Sequence, residues 1–153
     1  MAAFAILDPD FERRVRASFD RQGAMRLIGA RLARVEPGWV EIELPFRADL
    51  TQQHGYFHAG MTSTIADSAG GYAGYTLFPA DSSVLTVEFK INLIAPARGD
   101  KLVATGRVKK SGRTLTICEL EVVAMQGGTA TPCAVGLQTL MCLQGRADMP
   151  QPG

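Results

Sequence analysis

Charge is nearly missing from the middle of this sequence: between Asp49 and Asp81, Asp67 is the only Asp, Glu, Lys or Arg. Other absences bound what the chain can do. No apolar run reaches the roughly 18 residues that a membrane-spanning helix needs. Sixteen basic residues stand against fifteen acidic ones, a formal net charge of +1. That balance gives no electrostatic footprint for nucleic acid and no polybasic patch for a membrane. The three cysteines, Cys118, Cys133 and Cys142, are odd in number and form no CxxC spacing. Each lies in an apolar, strand-like run, as buried reduced thiols do, so a reducing, cytoplasmic setting is expected. The N-terminus has no charged leader region, and Asp8 and Asp10 interrupt its short apolar run, so no signal peptide is predicted. HExxH, GxGxxG and the phosphate-binding loop GxxxxGK[ST] are all missing, which removes support for zinc-protease, NAD and nucleotide chemistry. His54, His58 and a distant Asp67 do not make a metal set. GxSxG is missing too, although Ser63 or Ser68 leaves a Ser–His–Asp arrangement open.

What is present fits one domain of 153 residues, 46% hydrophobic and 20% charged, long enough to bury about 70% of the surface of its unfolded chain. Residues 1–145 read as that domain and 146–153 as a disordered tail. Phe11, Val15 and Phe19 recur at helical spacing within a helix predicted from Asp8 to Asp20, which Gly23 would end. A strand is expected over Arg26–Val35. Pro37-Gly38 marks a turn, and Val40, Ile42 and Leu44 alternate with Glu41 and Glu43 in a half-buried strand, so the pair reads as a hairpin. The uncharged segment, rich in Ala, Gly, Ser and Thr, predicts a buried helix from near His58 to before Pro79. Gly70, Gly71 and Gly74 weaken it by up to about 1 kcal/mol each relative to Ala, but they allow a sheet or a second copy to come close. Four strands follow: Val84–Leu93, Leu102–Lys109, Thr114–Ala124 and Ala134–Leu143. Short turns favour antiparallel pairing. The pattern is α+β, an antiparallel sheet wrapped around one long helix that is too apolar for a solvent face. A dimer at least is expected to cover what the sheet does not.

Three features gather near the start of that helix. Gly55, His58, Ala59 and Gly60 stand at its N-terminus, where unpaired N–H groups and a partial positive charge can hold an oxyanion. Asp67 lies two turns further in. A lone carboxylate in apolar surroundings is costly unless hydrogen-bonded or functional, and desolvation favours use as a base. A structural Asp bonded to nearby Ser, Thr or backbone is the other account. His58, and His54 still more, reads first as a hydrogen-bonded loop residue and not as a catalytic one.

The run HGYFHAGMTSTIADSAGG resembles the G-x-x-H-G-G-x-x-x-x-x-x-D motif of hotdog-fold thioesterases, in particular the phenylacetate-pathway group. VEFKINLIAPARGDKL and GRVKKSGRTLTICELEV are similar to that family's strands and turns. The resemblance implies a hotdog fold with an N-terminal helix before it. It also implies hydrolysis of an acyl-CoA thioester without a cofactor beyond the coenzyme A of the substrate. It assigns Asp67 as general base or nucleophile, Gly60 N–H as oxyanion donor, and Gln52 and Thr86 as the residues that place water. Three positions depart from the family: Gln52 stands for Asn, Ala59 for the first Gly of the pair, and Thr86 for Ser. Gln53 is an alternative to Gln52. Gly55, His58 and Ala59 would touch substrate, and Arg107, Lys110 and Arg113 would meet the coenzyme A phosphates, unless they are simply a solvated hairpin end. The family implies a homodimer or homotetramer with active sites at the dimer interface. The rival functions are an acyl-CoA hydratase or dehydratase of the same fold, working through His58 and Asp67, and a non-catalytic acyl-CoA-binding module.

Overall fold

The computed structural model describes residues 4–149. In chain order the elements are α1 (Phe11–Arg21), α2 (Gly23–Ile28), β1 (Arg31–Glu36), β2 (Trp39–Pro45), a 3₁₀ turn (Ala48–Leu50), α3 (Ala59–Tyr75), β3 (Ser82–Leu93), β4 (Lys101–Ser111), β5 (Leu115–Gln126) and β6 (Thr129–Gln144). The six strands form one antiparallel sheet in the order β1-β2-β4-β5-β6-β3. This is the expected hotdog architecture, with α3 packed along the inner face of the sheet.

Inward positions alternate as the strands require. Val40, Ile42 and Leu44 on β2, and Leu102, Ala104 and Val108 on β4, are buried against α3. The missing side chains of glycine set how closely the two layers meet. A Cβ on Gly106 of β4 would lie 2.3 Å from the Ala69 carbonyl oxygen of α3. One on Gly74 would lie 2.3 Å from a Leu140 methyl, and one on Gly70 would overlap Gln138 and Leu120. Helix propensity is therefore given up for contact with the sheet.

The ends of the elements depart from expectation in three places. Gly23 does not close the first helix. It opens α2, whose Met25 and Ile28, three residues apart, both reach the core, and the first strand accordingly starts at Arg31. Strand β6 begins at Thr129 instead of Ala134. Pro132 lies beyond the residues that pair with β3 and beside a register shift in the β5–β6 ladder, an edge-and-bulge position of the kind that tolerates proline. Finally, α3 is not closed on every side in one chain: Gly60, Ser63, Thr64, Asp67 and Gly71 form a half-buried stripe along it.

Helix α1 locks onto α3. The Arg14 guanidinium pairs with Asp8 and donates to the carbonyls of Tyr75, Phe78 and Pro79, stacking 4.1 Å above the Tyr75 ring. It thereby satisfies carbonyls that the C-terminal end of α3 leaves open. Of the tail, Asp148 accepts a 2.6 Å bond from Arg21 on α1. Residues 150–153 lie outside the described part.

All three cysteines are buried. Burial pushes the Cys118 thiol up to about 12 and Cys133 to about 11 from an ordinary 9.0, and Cys142 moves in the same direction. A raised folded-state value contributes stability below pH 9 that is lost as pH rises toward those values. Two outcomes are expected. At pH 8 the native protein should show no rapidly reacting thiol toward a disulfide reagent, and three after unfolding. Gly106→Ala should lower the urea midpoint by an amount equivalent to about 1–3 kcal/mol, whereas Gly71→Ala, which meets nothing within 4 Å, should raise it slightly through helix propensity.

Candidate active site

Asp67 stands in the middle of α3 on its half-open stripe. Its Oδ1 accepts two hydrogen bonds: one from the Thr86 hydroxyl of β3 at 2.7 Å, one from the Gln138 side-chain amide of β6 at 2.5 Å. Gln138 also donates to the Asp67 carbonyl oxygen at 3.1 Å and to the Thr86 hydroxyl oxygen at 3.0 Å. Strict alternation along β3 would put Thr86 on the face opposite Phe89. A register shift between Thr86 and Glu88 inserts one residue, so Thr86 faces Leu140 and Phe89 faces Gln138, both on the inner side. This bulge aims the Thr86 hydroxyl at the helix.

The carboxylate borders an open cavity of about 310 Å³, lined by Ser18 of α1, Gln22 just after it, Tyr72 of α3, and Val84 and Thr86 of β3. Asp148 and Met149 stand at its rim. The α1 wall is held by the Tyr72 hydroxyl, which accepts from Gln22 at 2.9 Å and bonds Ser18 at 3.1 Å.

The other expected residues gather at the N-terminal end of α3. Gly55, with φ +81°, forms the turn between Gln52 and Tyr56, a conformation that glycine adopts without strain. Gln52 spends its side-chain oxygen on the His54 amide in the same turn. His58 is the N-cap: its Nδ1 accepts from the Gly60 N–H at 2.8 Å, which puts the imidazole proton on Nε2. Gly60 N–H, the expected oxyanion donor, is thus engaged by its neighbour, while Ala59 N–H has no partner among the described residues. Asp67 lies seven positions after Gly60. At about 1.5 Å per residue this is two turns and roughly 10 Å on one helix face. One chain therefore presents two separate groups, a donor end and a carboxylate, and does not bring them together.

The basic residues lie elsewhere. Arg107 follows Gly106, which touches α3, and so points to the outer face of the sheet beside Trp39 and Glu119. Lys110 and Arg113 are exposed at the β4–β5 turn, where Arg113 borders Phe78 and Pro79 beyond the C-terminal end of α3. In one chain none of the three meets the Gly60 end. Sequence reading missed Gln138. Its signal was a single polar residue on the inward, otherwise apolar side of β6, between Ala134 and Leu140.

Residues 54–131 match the thioesterase superfamily family model. A relative from Saccharolobus solfataricus is 30% identical over 112 residues, 73% of this chain and 72% of its own length. The acyl-coenzyme A thioesterase PaaI of Escherichia coli is 25% identical over 114 residues, 74% of this chain and 79% of its own. Among solved structures, a thioesterase family protein from Silicibacter pomeroyi superposes with a TM-score of 0.87 at 44% identity, covering 88% of this chain and 99% of that one. With the fold, the carboxylate-bearing central helix and this match in agreement, the chain belongs to the thioesterase superfamily.

Proposed function

We propose that this protein hydrolyses an acyl-CoA thioester to the free acid and coenzyme A, with Asp67 as general base or nucleophile. The observation that carries this reading is the Asp67 carboxylate, fixed by two donors beside a cavity sized for a small acyl group. As a base, Asp67 would take a proton from water as the water oxygen bonds the carbonyl carbon. The C–S bond then breaks and the proton passes to the leaving thiolate. The developing oxyanion needs a preorganised donor, and the helix-start amides of Ala59 and Gly60 suit that role. Use of Gly60 N–H requires the His58 imidazole to move off it.

Because the donor end and the carboxylate lie roughly 10 Å apart along one helix, we propose that two copies of the chain complete each site. Strand β3 supports this. It is the edge of the sheet, yet Leu85 is 56% exposed and Phe89 41%. A long apolar edge strand is a template for pairing with another chain. A homodimer, alone or within a tetramer, would bury it. Three buried thiols and the absence, among the described residues, of a helix able to span a membrane support a cytoplasmic place for it.

The hydratase reading needs a His–Asp pair. The accepting nitrogen of His58 is spent as the N-cap on the Gly60 N–H, which favours hydrolysis. Two measurements decide. Thiol release from a panel of saturated acyl-CoAs, which cannot be hydrated, should be observed. Asp67→Asn should lower kcat by about 100-fold or more while keeping the thermal midpoint. Binding without thiol release, or an Asp67→Asn enzyme as fast as wild type on every active substrate, would end the proposal.

A further inference from the structure

We infer that Gln138 is a positioning residue for this hydrolysis: from β6 it clamps one oxygen of the Asp67 carboxylate and leaves the other, Oδ2, as the reacting atom. This rests on the proposed role of Asp67.

Gln138 is 1% exposed, on a strand whose other inward residues include Ala134, Leu140 and Cys142. A buried amide costs about 1–3 kcal/mol for each group left unpaired. Its Nε2 reaches three oxygens, the Asp67 carboxylate, the Asp67 carbonyl and the Thr86 hydroxyl. Its Oε1 is buried without a hydrogen bond among the described residues and points at Gly70, where a Cβ would lie 1.9 Å away. For stability alone this is a poor choice. A leucine of similar size would leave no polar atom unsatisfied. The orientation of the amide is also determined: turned over, it would set Oε1 against two acceptor oxygens of Asp67. What Gln138 and the bare Gly70 secure is therefore a donor in a fixed place under Asp67.

The same geometry reassigns Thr86. Its hydroxyl proton goes to Asp67 Oδ1, and its oxygen accepts from Gln138. With its only proton given to Asp67, Thr86 is the second point of the clamp and has no proton left to donate to a water. Two donors on Oδ1, from two different strands, stop the carboxylate from rotating. Oδ2 has no protein partner among the described residues, so it is the oxygen that takes the proton from water, or that bonds the acyl carbon as the C–S bond breaks and the thiolate leaves, the resulting anhydride then being hydrolysed by water.

The test is steady-state kinetics on wild type, Gln138→Leu, Asp67→Asn and the double variant, using an acyl-CoA that the wild type hydrolyses. Misplacing a reacting group by about 1 Å costs on the order of 100-fold, so Gln138→Leu should lose about 10- to 100-fold in kcat with KM little changed. Its thermal midpoint should be no lower than wild type. A residue that acts through Asp67 adds nothing once Asp67 is gone, so the double variant should match Asp67→Asn. Gln138→Met serves the same comparison if the leucine variant misfolds. A wild-type kcat in either variant, a loss confined to KM, or a further loss in the Asp67→Asn background would overturn the inference. If Asp67→Asn itself kept full activity, the reading of Asp67 would fall first, which is a distinguishable result.

Discussion

The layer contact between α3 and the sheet is the constraint on which the rest of the molecule depends. Gly106 lets the backbone of β4 touch the backbone of α3 at Ala69 and Gly70, and Gly74 admits Leu140. A larger residue at any of these points would push the helix outward. Asp67 would then move away from the strands that hold it. The close approach also makes Gln138 usable, because its side chain is short enough to pass from β6 to the helix only where Gly70 yields space. Packing and site are the same set of contacts. The cost is intrinsic helicity, offset by burial of ten of the seventeen residues of α3.

From this contact follows an arrangement on one helix. The N-terminal turn offers amide donors and its cap, His58, while the middle offers a carboxylate fixed from two strands. Thioester hydrolysis needs both kinds of group at one carbonyl. A rigid helix cannot fold its own start onto its middle. A second copy, brought in along the open stripe of α3 and the apolar edge of β3, is the simplest way for the two groups to meet. The missing solvent face expected from composition is thus half true: one chain leaves a stripe open, and that stripe holds Gly60 and Asp67, the residues of the proposed site.

Much of this was legible in the sequence because the signals were local and periodic. The alternation of Val40, Ile42 and Leu44, the Pro37-Gly38 turn and the uncharged segment ending before Pro79 gave strand, turn and helix directly. Asp67 stood out by contrast with its neighbours. What escaped depended on tertiary context. Helix α2 has six residues and two core contacts, too short for a periodic signal. The β3 bulge that turns Thr86 inward leaves no mark in the pattern, since an inserted residue in an apolar strand still looks alternating. Gln138 is far from Asp67 in sequence, and only the order β5-β6-β3 brings it underneath. The engagement of Gly60 by His58 could not be read from spacing, because a histidine before a helix serves as a cap or as a ligand equally well.

The composite nature of the site is the claim with the most at stake, and subunit mixing tests it directly. One inactive parent is Asp67→Asn. The other is Gly60→Pro, used once shown to be inactive alone, which removes the Gly60 N–H, one of the two helix-start donors, in a first turn where proline is tolerated. The two chains are unfolded together and refolded at equal amounts. If each site takes its carboxylate from one copy and its donor from the other, hybrid dimers carry one intact site, and the mixture recovers about a quarter of wild-type activity for a statistical two-fold dimer. If each chain carries a whole site, the mixture stays as inactive as its parents, and the two-copy site is contradicted.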